Sequence, residues 1–87
     1  MKIAFHRGFK KYYRKLKPGE RKKLEKRLRL FAEDPYHPIL DNHALRERYK
    51  GFRSIDITGD LRALFELKEG ENTAVFIIVD THSNLYG

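Results

Sequence analysis

Apolar side chains recur along this chain with two different periods, and the change of period divides it. Lys2 to Phe5 is a short apolar stretch that predicts a strand ending at Arg7-Gly8. Phe9, Tyr13 and Leu16 then fall at i, i+4 and i+7, one helical face, with Lys10, Lys11, Arg14 and Lys15 on the others. Pro18-Gly19 ends this helix and starts another, since proline pushes Lys17 out of helical conformations yet suits a first helical turn. Leu24, Leu28 and Phe31 repeat the stripe, which predicts an amphipathic helical hairpin. Asp34-Pro35 and His37-Pro38 mark an extended linker after it.

From Gly51 the period is two. Arg53, Ile55 and Ile57 alternate with Phe52, Ser54 and Asp56, and after the turn at Thr58-Gly59-Asp60, Leu61, Ala63, Phe65 and Leu67 alternate with Arg62, Leu64 and Glu66. A second turn, Glu69 to Asn72, leads into Ala74–Val79, apolar on both faces as an interior strand would be. A weaker strand is expected over Leu45–Tyr49. The order β-α-α-β-β-β, with one more short strand, predicts an α+β fold in which two N-terminal helices pack on a small antiparallel sheet. Residues 1–87 read as a single domain.

Composition narrows the class. Eighty-seven residues without cysteine leave room for one core that neither a disulfide nor a thiolate zinc site can staple. The longest apolar run, Ala74–Val79, is six residues, far short of the roughly 20 needed to cross a bilayer. The N-terminal stretch lacks the apolar segment of a secretory signal, so a cytoplasmic protein with no membrane partner is expected. Charge is distributed unevenly. Residues 1–31 hold 13 Lys and Arg against Glu20 and Glu25, a net of +11, while residues 32–87 hold 6 basic and 10 acidic side chains, a net of −4. A segment so basic either is a solvated helical face or favours polyanions, whose phosphates release counterions on being neutralised.

Polar residues that periodicity leaves unexplained gather in the second half: His43, Arg53, Asp56, Asp60, Arg62, His82 and Tyr86. Ser54 and Asp56 share one strand face, and Arg62 is out of phase with Leu61 and Ala63. Each has an ordinary structural use as well: His43 capping a loop, Asp60 in a turn, Arg62 pairing Glu66 or Asp56, Tyr86 closing the core. Together they carry a chemistry. Cleavage of RNA by its own 2′-hydroxyl needs a base for that hydroxyl, an acid for the departing 5′-oxygen and a cation for charge developing on phosphorus. Histidine suits the first two roles because its ordinary pKa lies near neutrality, and arginine suits the third with a planar fork that stays charged. Tyrosine stacks on an unpaired base or passes a proton. No GxGxxG, P-loop or GxSxG occurs, and Asp80, His82 and the distant His37 and His43 are the only metal-like grouping, so neither metal nor cofactor is expected. His6 and His37 read as surface residues.

The stretch from Asn42 to Gly87 resembles the RelE superfamily of toxin–antitoxin toxins, most closely its YafQ-like branch. The matching elements are His43-x-Leu45, Gly51-Phe52-Arg53, Asp60-x-Arg62 and above all Thr81-His82-Ser83-Asn84-Leu85-Tyr86. The resemblance implies a RelE-like fold and a metal-independent endoribonuclease acting on ribosome-bound messenger RNA, held inactive in a hetero-oligomer with a cognate antitoxin. It places His43, His82 and Tyr86 on the catalytic surface, Asp60 beside them, and Arg62 at the phosphate. It departs at Asp56, where many relatives have histidine, at Leu61, where tryptophan is frequent and a stacking surface is lost, and at Glu47, where glycine is common. Asp56 is kept as a further site candidate. On this reading the basic helices contact ribosomal RNA through Lys10, Lys11, Arg14, Lys15, Arg21, Lys22, Lys23 and Lys26, with Arg53 also on RNA, and the catalytic face lies beside them. Two other functions fit the same resemblance: a ParE-like toxin that blocks DNA gyrase by binding, and an RNA-binding member with degenerate chemistry.

Overall fold

A computed structural model describes residues 1–87. The order is β1 (Lys2–Phe5), α1 (Phe9–Lys15), α2 (Pro18–Glu33), β2 (His43–Ala44), β3 (Arg53–Asp56), β4 (Leu61–Lys68), β5 (Thr73–Thr81) and α3 (His82–Tyr86). Single 3-10 turns lie at Pro38–Leu40, Glu47–Tyr49 and Glu69–Glu71. The strands form one sheet in the order β1-β5-β4-β3-β2, with the long strand β5 inside it. This is the expected α+β arrangement, with one difference of direction: β1 runs parallel to β5, Ile3 opposite Ala74, while every other pairing is antiparallel. Tight turns force β3, β4 and β5 to reverse, but no hairpin joins β1 to β5, so turn chemistry does not set its direction.

The helical hairpin forms where the apolar stripes place it. Pro18 opens α2, and the Glu20 carboxylate reaches back to accept the Lys17 N–H at 2.8 Å. Arg21 closes the end of α1, donating from Nη2 to the Arg14 carbonyl at 2.8 Å and from Nε to the Tyr13 carbonyl at 3.3 Å. The Tyr13 hydroxyl donates to Glu25 at 2.8 Å and ties the two helices together.

Phe9, Leu16, Leu24 and Phe31 rest on one face of the sheet against Ile55, Ile57, Leu61, Ala63, Phe65, Ala74, Phe76 and Val79. Phe31 is at the centre, 0% exposed, edge-on to Phe65 at 5.0 Å and to Phe76 at 5.4 Å between ring centroids. A bulge resolves the apolar run of β5. Leu64 pairs with Ile78 but Phe65 with Phe76, so Ile77 is an extra residue, and Ala74, Phe76 and Val79 all reach the helix side despite their uneven spacing. The opposite face carries Ser54, Asp56, Arg62, Leu64 and Asp80, in register across β3, β4 and β5.

One expectation is corrected. Leu45–Tyr49 is not a strand; the fourth pairing is the two-residue β2, His43 opposite Ser54, and the chain then winds into a 3-10 turn. Glu47 there is left-handed, at φ 55°, a conformation that costs a non-glycine residue about 1–2 kcal/mol and that no strand contains. The segment after β5 is a short helix, α3, started by the Thr81 hydroxyl, which accepts the Asn84 N–H at 3.1 Å.

Truncation of Phe31 to alanine empties the centre of the core and is expected to lower unfolding free energy by about 3–5 kcal/mol. Urea denaturation of the two proteins checks this; a loss below about 1 kcal/mol would mean that the helices are held by something else.

Candidate functional site

The polar face of the sheet and α3 enclose a cleft of about 250 Å³ lined by Asp41, His43, Ser54, Arg62, His82 and Tyr86. Four of the five catalytic candidates therefore meet. Its volume lies below the roughly 300–1,000 Å³ of pockets that enclose a whole small ligand, so it suits one group of a larger molecule. A larger groove, about 510 Å³, opens between the end of β1 and α1, lined by Phe5, His6, Arg7, Phe9, Lys10 and Tyr13. Size does not make it the reactive site: its walls are mainly apolar, whereas the smaller cleft holds convergent proton-transfer groups and a guanidinium.

His43 is oriented by its hydrogen bond. Its Nδ1 lies 2.7 Å from the Asp41 carbonyl oxygen, which can only accept, so in the neutral ring Nδ1 carries the proton and Nε2 the lone pair. The Asp41 carboxylate stands 3.7 Å from the same nitrogen. Asp41 holds this pose from a left-handed backbone, φ 46°. His82, the first residue of α3, donates its backbone N–H to the Asp60 carbonyl at 2.9 Å, and its ring packs at a tilt against Tyr86, 4.8 Å between centroids. Asp80 fixes the start of that helix, its Oδ1 accepting from Thr81 N at 2.8 Å and from Asn84 Nδ2 at 2.9 Å.

Arg62 is held on two sides. Its Nε stands 2.9 Å from Asp56 Oδ1, and its Nη1 donates to the carbonyls of Thr58, Gly59 and Leu61 at 3.0–3.2 Å. Asp56 Oδ1 is out of solvent and receives no well-aligned N–H, so the adjacent guanidinium charge is its compensation. Of the two partners anticipated for Arg62, Asp56 is the real one; Glu66 bonds Lys68 at 2.8 Å instead. Tyr86 is 43% exposed, and burial of its phenol raises the pKa above the ordinary 10.0; Tyr49 adds to the rise and Arg62 opposes it. The phenol is therefore a donor near neutrality.

Several predicted residues fall elsewhere. Asp60 is exposed and outside the cleft lining; its contribution to the site is the backbone carbonyl that receives His82. Leu61 is buried in the main core, on the helix face, and is no part of the cleft wall. The basic helices do not lie beside the cleft, because they pack on the core face of the sheet and the cleft opens on the other. Lys10, Lys11, Arg14, Lys15, Lys22 and Lys26 are exposed and Lys23 half-buried, while Arg21 is spent on the end of α1. Arg53 is pinned too: its Nε donates to Asn42 Oδ1 at 2.8 Å, and its guanidinium lies 5.7 Å from the Tyr36 ring centroid. His6 and His37 each accept a nearby loop N–H through Nδ1. Sequence reasoning missed Asp41 and Tyr49. Tyr49 packs edge-on against Tyr86 at 5.5 Å, and its one signal was an aromatic placed inside the charged run Arg46–Lys50.

No family model and no curated protein matches the sequence. Solved structures do. YafQ from E. coli strain BL21(DE3) superposes with a TM-score of 0.79 at 20% identity, covering 98% of this chain and 97% of that one. A YoeB/ParE toxin from Agrobacterium tumefaciens gives 0.75 at 16% identity, covering 94% and 99%. The E. coli DinJ–YafQ complex gives 0.68 at 23% identity, covering 98% and 97%. The chain shares the fold of these toxins.

Replacing Asp56 with asparagine removes the charge beside Arg62 while leaving its three carbonyl partners. Because the pair is partly exposed, the expected cost is about 1–2 kcal/mol of stability. Thermal unfolding at neutral pH measures it; a stability gain would show that the carboxylate strains the site.

Proposed function

We propose that the chain is the toxin of a type II toxin–antitoxin pair, an endoribonuclease that cuts messenger RNA at the ribosome and so stops translation. The observation that carries this reading is the convergence of His43, Arg62, His82 and Tyr86 on one cleft. Simple binding of a partner needs no proton-transfer groups there, which favours cleavage over a purely obstructive, gyrase-binding toxin.

The chemistry follows from the side chains. His43 Nε2 takes the proton of a ribose 2′-hydroxyl, and the freed oxygen attacks the adjacent phosphorus. The bond to the 5′-oxygen breaks, and that oxygen leaves with a proton from His82. The products are a 2′,3′-cyclic phosphate and a 5′-hydroxyl, so no water is consumed in this step. Arg62, whose Nη2 makes no hydrogen bond within the protein, faces the phosphate oxygens and offsets their growing charge. Tyr86, kept protonated, donates to or stacks beside the substrate. Asp60 contributes through its backbone alone.

The exposed cations of α1 and α2 supply the polyanion affinity that the cleft lacks, and ribosomal RNA is their proposed target. The cognate antitoxin is the second proposed partner. Phe5, 53% exposed in the apolar groove and rimmed by Arg7 and Lys10, offers such a protein an apolar anchor beside positive charge.

A cell-free translation reaction with primer extension of the messenger tests the proposal. New 5′ ends are expected with the wild-type protein and ribosomes, none when ribosomes are omitted, and none with His82→Ala. Intact messenger throughout, with gyrase supercoiling blocked in a parallel assay, would overturn the nuclease reading. A Lys22→Glu, Lys23→Glu, Lys26→Glu variant is expected to bind ribosomes more weakly and with a shallower salt dependence, measured by cosedimentation. Unchanged binding would remove the helices from the ribosome contact.

A further inference from the structure

We propose that Tyr49 is a positioning residue for the cleft, holding α3 so that His82 and Tyr86 stay beside His43 and Arg62. The inference rests on the reading of the cleft as a nuclease site. It begins with a weakness in the fold. A five-residue helix has too few internal hydrogen bonds to persist alone, and α3 carries two of the four catalytic side chains.

Its start is well secured by Asp80, the Thr81 hydroxyl and the Asp60 carbonyl. Its end is packed by the buried Leu85 side chain, and the one hydrogen bond that reaches it from outside the helix comes from a residue 36 positions earlier. The Tyr49 hydroxyl donates to the Leu85 carbonyl at 3.0 Å. The same ring stands edge-on to Tyr86, at 5.5 Å and 84°, and Tyr86 in turn packs against His82 at 4.8 Å, the rings tilted by 44°. The arrangement is a ladder of three rings that ends in the proposed acid. Arg48 closes its outer end, with its guanidinium 5.5 Å from the Tyr49 centroid.

The backbone that delivers Tyr49 is itself unusual. Glu47 at φ 55° and Gly51 at φ 98° bracket the turn that points the ring at α3; the glycine takes its conformation freely, and the strain spent on this placement is that of Glu47. Tyr49 makes no claim on substrate. It acts through Tyr86 and the helix backbone.

Two substitutions separate its two contacts: Tyr49→Phe removes only the hydroxyl, and Tyr49→Ala removes the ring as well. In single-turnover cleavage of messenger on ribosomes, Tyr49→Phe is expected to slow the step about 2- to 10-fold, as for one lost hydrogen bond. Tyr49→Ala is expected to slow it about 100-fold, as for catalytic groups misplaced by about an ångström. In both, the messenger concentration giving half-maximal rate stays nearly unchanged, because Tyr49 does not touch RNA. A second measurement needs no activity. In NMR spectra, Tyr49→Ala is expected to lose the contact between the Tyr86 and His82 rings and, by exposing the phenol, to bring the Tyr86 titration down toward the ordinary value, whereas Tyr49→Phe keeps the ring contact and the burial and lowers the titration only by the Tyr49 charge it removes. Tyr49→Ala with the ring contact and titration of the wild type overturns the proposal, and so does unchanged cleavage by both variants. A wild-type protein that never cleaves, but whose ring contact collapses in Tyr49→Ala, supports the positioning role and defeats the nuclease reading alone.

Discussion

The contact on which this molecule depends is the edge-to-face packing of Phe31 between Phe65 and Phe76. It joins the longest helix to the two longest strands, and it does so at the centre of the only large apolar cluster. A small domain has few kcal/mol to spare, so a single aromatic at such a point carries a sizeable share of the net stability. The consequence for function is positional. β4 and β5 present Phe65 and Phe76 to the helices and, in register on the other face, Arg62 and Asp80. Whatever anchors the core faces of these strands also fixes the chemistry behind them.

That economy requires the sheet to have two working faces, and the bulge at Ile77 is what reconciles them. Without an extra residue, strict alternation would place Val79 on the face opposite Phe76 and bring Asp80 toward the core. With it, the first half of β5 serves the helix pair and the second half serves both the core, through Val79, and the start of α3, through Asp80. The Asp56–Arg62 pair uses the same face, in the row that Asp80 continues across the sheet. It costs some of the positive charge of Arg62, but it prevents that long side chain from sampling other rotamers, so that the remaining amino group has a defined place.

Much of this was legible in the residues. Phe9, Leu16, Leu24 and Phe31 announce the helix stripes, and Ile55, Ile57, Leu61, Ala63 and Phe65 announce the core face of a hairpin, because burial enforces a period wherever one face is dry. The cleft was legible as a set of polar residues out of phase with that pattern. What failed did so for local reasons. The parallel direction of β1 is a long-range pairing with no turn to encode it. Leu45–Tyr49 looks extended, but Glu47 adopts a left-handed conformation to which its own side chain gives no clue. α3 is shorter than two turns and has no period to detect. Arg21 and Arg53 count as free cations in a composition, whereas each is committed to carbonyl or amide oxygens of its own chain. The adjacency of helices and cleft was the largest error, since a charge count along the chain does not say on which side of a sheet the charge will lie.

This separation bears directly on how the proposed nuclease works. Within the cleft, Arg62 is offset by Asp56 and His43 stands against Asp41, so the site has little net charge with which to hold a polyanion. The large positive charge is on α1 and α2, across the sheet, in a molecule whose shortest extent is 27 Å. At a Debye length of about 8 Å in physiological salt, those cations are screened from anything in the cleft. One short RNA strand therefore gains nothing at the reactive groups from the basic helices unless it wraps around the domain. Two RNAs can share the protein without bending, one bound by the helices and the other presented to His43, Arg62, His82 and Tyr86. Under the proposed function, dependence on the ribosome is then a matter of geometry: the structured RNA holds the enzyme by its charged face, at high local concentration of messenger, while the weakly charged cleft is left to discriminate and react.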